Sequence, residues 1–498
     1  MKYISTRANY DEVSAAEAIH LGMVPTGGLF VPESVPTFSE EEIYQMSKLS
    51  YQEIAFKVLE KFLTDYSQEE IKEVIEAAYN EDSFSKEEIA PVVKLNDNTY
   101  ILELWHGPTA AFKDMALQIL PHLLVKAIEK SGSDKEIVIL VATSGDTGKA
   151  ALEGFKDVDG IKIIVFYPND GVSKVQEAQM LTTEGDNTVV VSVEGNFDDC
   201  QSAVKEIFGD VDFNKLVNQN GYQFSSANSI NWGRLVPQII YYFAAYAYLL
   251  RDKGIEAGEQ INVSVPTGNF GNILAAYYAS QMGLPVNKFI CASNTNKVLT
   301  DFLKTGVYDI NRDFHKTISP SMDILISSNL ERFLFEMTGH DAEKIKGWYN
   351  DLKETGKFEI DEATKGKIKD IFVGQWTTEE ETQETIAQVF KKYNYTLDTH
   401  TAVGVDSYRK YLEETGDMTV TIVDSTANPY KFSKAVLEAL EGEVAEENEF
   451  KILDNLNQLT GLEIHRGLEG LEEKEIRHDR NCDSIGIKSE IKDILNVK

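Results

Sequence analysis

The 498-residue chain predicts an α/β fold. The expected architecture is two parallel-sheet lobes with helices on both faces enclosing a cleft, plus a mainly helical N-terminal segment and an α-rich insertion. Three observations lead there. First, short β-branched runs recur, each ending in a turn rich in Gly, Ser, Thr or Asn and followed by an apolar-periodic helix. EIVILVA precedes TSGDTGKAALEGF, KIIVFYP precedes NDGVSKVQEAQML, TVVVSV precedes EGNFDDCQSAVKEIF, and INVSVP precedes TGNFGNILAAYYASQMG. Parallel α/β units require that alternation. Second, SEEEIYQM and SYQEIAFKVLEKFL, near the start, carry apolar residues at intervals of three and four, a helical period. Third, charged helical patterns such as DAEKIKGWYNDLKETG replace the alternation between about 304 and 398, before MTVTIVDSTANPYKFSKAVLEAL returns to strand, turn and helix.

The length exceeds that of one ordinary domain, and 42% hydrophobic content can fill more than one core. The expected division is an accessory domain over 1–92, a lobe over 93–235 and a larger lobe over 236–498. The last contains the insertion, 304–398, and a helical C-terminal extension.

Acidic residues number 81 against 48 basic ones, a formal charge of −33. Such a surface repels nucleic acid and anionic bilayers, so neither is an expected partner. A small anionic ligand must instead find a local basic pocket. The start of the chain lacks the apolar run of a secretory signal. The most apolar stretch, 235–250, has 16 residues and contains Pro237. It is shorter than the ~20 residues of a membrane span and reads as a buried helix. Three scattered cysteines, Cys200, Cys291 and Cys482, suit neither a disulfide framework nor a metal site. The cytoplasm is the expected compartment, with no metal.

Several strand-to-helix turns carry candidate chemistry. TGNFGN follows INVSVP and opens a helix, so its backbone N–H groups should converge on one point, and Gly268 and Gly271 let an anion approach closely. A tight turn with no ligand is the alternative. TSGDTG offers the hydroxyls of Ser144 and Thr147 for a carboxylate, although Asp146 reads equally as a helix N-cap. In HGPTAAFKD, Lys113 follows a Gly-Pro turn; a desolvated lysine has a lowered pKa and forms Schiff bases, whereas an isolated lysine is more often a solvated side chain. NSINWGR places Asn228, Ser229 and Arg234 ahead of an apolar helix, with no acid nearby in sequence. That set suits bidentate phosphate binding or a plain helix cap. DSTANPYKF puts Thr426 in a turn, where a hydroxyl meets a heterocyclic nitrogen or caps the next helix.

Taken in order, TGGLFVPESVP, HGPTAAFKD, TSGDTGKAA, NSINWGR, PTGNFGN, SPSMDILISSNLERFLF, DTHTAVG and STANPYKF resemble threonine synthase of the longer bacterial and fungal type. That family has the tryptophan-synthase-β-like, pyridoxal-phosphate fold. The resemblance runs through most of the chain and implies that Lys113 carries pyridoxal phosphate as a Schiff base in the cleft. It implies that Gly268, Asn269, Phe270 and Gly271 bind the cofactor's phosphate and that Thr426 meets the pyridine nitrogen. The loop from Thr143 through Ser144 to Thr147 would hold the substrate carboxylate, and Asn228, Ser229 and Arg234 the substrate phosphate. Shorter relatives have asparagine where this chain has Asp146, a cofactor-ring position at which an ionised carboxylate cannot donate. The implied reaction converts O-phospho-L-homoserine and water into L-threonine and phosphate, the last step of threonine biosynthesis, and a monomer is the expectation. The alternatives are another lyase of the same fold, a serine/threonine dehydratase or phospholyase, and a non-catalytic phospho-metabolite-binding protein.

Overall fold

The structure is a computed structural model that describes residues 1–498 except Ser144, Asp170 and Gly171; of Asp198 it describes only the backbone. The N-terminal segment contains helices Glu40–Met46, Tyr51–Phe62 and Gln68–Ala78. Each begins with a Ser-x-x-Glu pattern. Ser39, Ser50 and Ser67 accept from the third backbone N–H, while Glu42, Glu53 and Glu70 accept from the serine's own N–H. Such boxes satisfy donors that a helix start leaves bare.

Two sheets follow. The larger has six strands in the order Phe372–Trp376, Val286–Ser293, Ile261–Pro266, Thr421–Ser425, Thr99–Glu103 and Val92–Lys94, parallel except for the last pair. The smaller has five parallel strands in the order Arg480–Asp483, Thr188–Glu194, Ile161–Pro168, Glu136–Ala142 and Tyr222–Ser225. Ile261–Pro266 and Thr421–Ser425 are buried at every residue, as strands covered by helices on both faces must be.

Sheet membership does not follow chain order. Thr99–Glu103 lies in the larger sheet although it falls within 93–235, and Arg480–Asp483 lies in the smaller although it falls within 236–498. The C-terminal extension is therefore not wholly helical. Its strand, RNCD, is a mostly exposed edge, so no core face imposes an apolar alternation on it. Inside 304–398 the helices come as expected, but Phe372–Trp376 supplies the edge of the larger sheet.

The apolar run at 235–250 lies in helix Trp232–Arg251, buried on all sides from Trp232 to Leu249. Among the described residues no helix is long and apolar enough to cross a membrane. Trp232 opens that helix against the rings of Tyr3 and Phe62, centroids 5.4 and 5.6 Å away, and so holds the N-terminal segment to the body. A polar joint reinforces the contact. The buried carboxylate of Glu331 accepts from Arg7 Nε and Nη2 (2.9 and 2.8 Å) and from Thr6 Oγ1 (2.7 Å).

Replacing Glu331 with Ala is expected to lower stability by about 2–3 kcal/mol, because three hydrogen bonds to a charged group disappear and Arg7 loses its counter-ion. The urea midpoint measures this, and an unchanged midpoint would refute the docking role.

Candidate active site

In both parallel sheets the turns singled out from sequence follow strand carboxyl ends, where open α/β sheets bind ligands. The loop bearing Lys113 leaves Thr99–Glu103, residues 143–147 leave Glu136–Ala142, residues 268–271 leave Ile261–Pro266, Thr426 leaves Thr421–Ser425, and the segment of Asn228 and Ser229 leaves Tyr222–Ser225.

The lysine loop is tied to its neighbours by backbone. Phe112 N donates to Thr426 O (2.8 Å) and Asn428 N to Ala110 O (3.0 Å), so Lys113 and Thr426 are brought together. Beneath the loop, Asp114 accepts from Thr109 N (2.8 Å) and Thr109 Oγ1 (2.7 Å). Burial pushes the Asp114 carboxyl up to about 7 against the pull of those donors.

Lys113 Nζ is 9% exposed by residue, donating to Asp146 Oδ2 and to Ser321 Oγ, both at 3.3 Å. Burial lowers its pKa from the ordinary lysine value. Asp146 opposes that shift, and Arg234 and Lys431 add to it. Asp146 is the first residue of helix Asp146–Phe155. Its Oδ1 receives Gln176 Nε2 (2.8 Å) and lies 3.0 Å from Lys431 Nζ. Burial alone would raise this carboxyl; Lys431, Lys113 and the Gln176 amide outweigh it and hold Asp146 well below the usual carboxylate range. Asp146 is thus an ionised acceptor and not a donor.

The turn at 268–272 is built to receive an anion. Among the described residues nothing accepts these five consecutive N–H groups, at the start of helix Gly271–Gln281. Phe270 adopts φ 63°, a left-handed conformation that costs a residue with a side chain about 1–2 kcal/mol. Its ring is held in the core by Phe333 and Phe372, centroids at 5.1 and 6.0 Å, so Phe270 offers the site its backbone only. The turn is clamped from 321–329. Ser327 Oγ donates to Gly268 O (2.8 Å), Asn329 N to Asn269 O (3.0 Å), and a Cβ at Gly268 would lie 2.6 Å from Ser321 O. The missing side chain is what lets the two segments meet.

Arg234 is buried, with Nη1 donating to Ala227 O (2.9 Å), while its Nε has no partner among the described residues. No carboxylate among them pairs with it, and burial pulls its pKa down to about 10. A desolvated guanidinium with a spare donor suits an anion. Ser229 Oγ reaches Ser328 Oγ (3.3 Å), which donates to Asn269 Oδ1 (3.2 Å), and this links the Arg234 segment to the cradle. Asn228 is exposed beside them. In the other loop, Thr143 Oγ1 accepts from Gly145 N (3.0 Å) and Gly148 N (2.9 Å), which closes the turn, and Thr147 is half-buried. The Ser144 assignment lies outside the described residues.

Four site residues are not apparent from sequence. Ser321, which touches both Lys113 and Asp146, is held by its backbone N–H donating to His400 Nε2 (3.1 Å), and His400 Nδ1 lies 3.0 Å from Asp398 Oδ1. Lys431 is the fourth. SPSMD, DTHTAVG and STANPYKF were visible as motifs; what they share across space was not.

A family model described as "Pyridoxal-phosphate dependent enzyme" matches residues 87–347, the stretch that contains the lysine, the cradle and Arg234. The buried amine and the row of unclaimed N–H donors fit that cofactor's aldehyde and phosphate, and the protein is a pyridoxal-phosphate-dependent enzyme of fold type II. Models described as "Threonine synthase N terminus" and "Threonine synthase, C-terminal" match residues 2–79 and 401–479. The chain belongs to the threonine synthase family. It is 40% identical over 440 residues to a threonine synthase of Pseudomonas aeruginosa, covering 88% of this chain and 90% of that one. It is 43% identical over 456 residues to human "Threonine synthase-like 1", covering 88% of this chain but only 60% of the human protein. The structure of pyridoxal-phosphate-bound threonine synthase from Brucella melitensis superposes with a TM-score of 0.88 at 35% identity, covering 99% of each chain.

Gly268→Ala is expected to weaken cofactor binding by about ten- to a hundredfold, because the added methyl must displace the 321–329 clamp. Titration of the cofactor-free protein with pyridoxal phosphate measures it; parent-like affinity would contradict the cradle.

Proposed function

We propose that the chain is a threonine synthase, converting O-phospho-L-homoserine and water into L-threonine and phosphate. One observation carries the reading: beside the cofactor lysine stands the buried guanidinium of Arg234, which has no carboxylate partner among the described residues and suits a second anion, separate from the cradle that suits the cofactor's own phosphate. A lyase for unphosphorylated serine or threonine has no use for it. The similarity to the Pseudomonas aeruginosa threonine synthase supports the same reading.

When bound, pyridoxal phosphate supplies an electron sink for charge developing at Cα and Cβ of the substrate. The residues divide the remaining work. Lys113 carries the cofactor, and its amine takes the Cα proton and shuttles the Cβ proton; burial, which favours the neutral amine, equips it as a base. Arg234, with Asn228 and Ser229, binds the substrate phosphate, orients the Cγ–O bond and stabilises the charge of the departing group. The loop at 143–147 receives the substrate carboxylate. Water then adds at Cβ, with the phosphate retained at Arg234 as the base that takes its proton. Thr426 offers the pyridine nitrogen a neutral hydroxyl in place of a carboxylate, which leaves that nitrogen less protonated and disfavours transamination.

Lys113→Ala is expected to abolish threonine formation and borohydride-fixable cofactor while far-ultraviolet dichroism stays parent-like; retained turnover would overturn the assignment. Arg234→Ala should raise the KM for O-phospho-L-homoserine by roughly ten- to a hundredfold, the loss of about 1.5–3 kcal/mol from a charged hydrogen bond. Steady-state kinetics give the value, and an unchanged KM would remove Arg234 from the substrate site.

A further inference from the structure

The lysine beside the reacting groups has a partner two contacts away that the reaction itself does not require. Lys431 sits in the turn after Thr421–Ser425, with its side chain fully buried. Its ammonium lies 3.0 Å from Asp146 Oδ1 and donates to Gln179 Oε1 at 2.8 Å. Gln179 in turn donates through Nε2 to Gly467 O (3.0 Å) in the C-terminal segment, so Lys431 is fixed from helices Asp146–Phe155 and Lys174–Leu181 and from the chain's tail. Asp146 consequently has its two oxygens assigned to different tasks. Oδ1 faces Lys431 and Gln176; Oδ2 faces Lys113 and Ser321.

We propose that Lys431 is a positioning residue that shares Asp146 with Lys113 and, through that carboxylate and its own buried charge, lowers the proton affinity at Lys113 Nζ. The inference rests on Lys113 being the cofactor-bearing lysine. The geometry gives the reason. A lone buried Asp146 beside Lys113 would form a tight pair that holds the proton on the lysine. A second ammonium on the far side of the carboxylate offsets that attraction and keeps the carboxylate ionised whenever Lys113 is neutral. Lys431 forms an ion pair with no acid other than Asp146 among the described residues, so the two lysines compete for one anion. The other charged or titratable groups facing this cluster among the described residues are Glu153 on the Asp146 helix, Arg234 on helix Trp232–Arg251, Asp114 beneath the lysine loop, His400 with Asp398 behind Ser321, and His465 on the C-terminal segment.

The pH at which the visible absorbance of the lysine-bound cofactor titrates reads the charge around Lys113 Nζ without depending on turnover. Removing a nearby cation favours the proton, so in Lys431→Met holoenzyme that titration should move to higher pH by about one unit or more. Lys431→Arg should restore it to near the parent value. Asp146→Asn should move it to lower pH, and adding Lys431→Met to Asp146→Asn should move it up again; this second pair reads the same quantity if the single Met variant does not fold. A role confined to stability would lower the thermal midpoint without moving the titration. A parent-like titration in Lys431→Met, or no difference between Asp146→Asn and the double variant, would overturn the inference. Borohydride fixing the cofactor to a lysine other than Lys113 would overturn it together with the reading it rests on, and peptide mapping tells the two failures apart.

Discussion

Three basic side chains, Lys113, Arg234 and Lys431, share one buried cleft with one ionised carboxylate, Asp146, and much of the architecture follows from that imbalance. Burying like charges together is costly unless anions are supplied. A chain with a formal charge of −33 has carboxylates in plenty, yet among the described residues none but Asp146 pairs with these three groups. The unmet positive charge is a specification for ligands. It suits small anions, which a strongly acidic exterior would otherwise turn away.

The fold meets that specification by bringing turns from two sheets to one place. Each turn follows a parallel strand, so each lies at the carboxyl edge of a sheet. The five N–H groups at 268–272, unclaimed among the described residues, are the clearest case. Their shape depends on Phe270, a strained residue whose ring is locked among Phe333 and Phe372, and on the clamp from Ser327 and Asn329. The N-terminal segment bears on the same clamp, because Glu331, two residues beyond Asn329, holds Arg7 and Thr6. Cofactor cradle, clamp and accessory helices therefore form one continuous set of contacts.

What could be read from sequence was what is local. The 268–271 turn and Thr426 each stand in a short strand-to-helix motif that strand periodicity locates, while Lys113 follows a Gly-Pro turn and Arg234 lies at the start of an apolar helix. The serine-capped N-terminal helices were visible for the same reason. Contacts between distant segments were not visible. Ser321 meets Asp146 across 175 positions of sequence, and Lys431 reads as one more lysine in a turn until burial and Asp146 are seen together. Asp146 itself was ambiguous between an N-cap and a ring contact; in space it is a counter-ion shared by two lysines. The strand Arg480–Asp483 escaped because an exposed edge needs no hydrophobic pattern, and its crossing to the smaller sheet depends on pairing with Thr188–Glu194, far upstream.

The central claim is that the second anion site directs the cofactor's chemistry toward phosphate release and hydration at Cβ. It is tested most directly by incubating the cofactor-loaded chain with O-phospho-L-homoserine and measuring phosphate, threonine and 2-oxobutyrate together. The account predicts phosphate and L-threonine in equal amounts with little 2-oxobutyrate. Phosphate accompanied by a 2-oxo acid in place of threonine, or no release of phosphate at all, would contradict it.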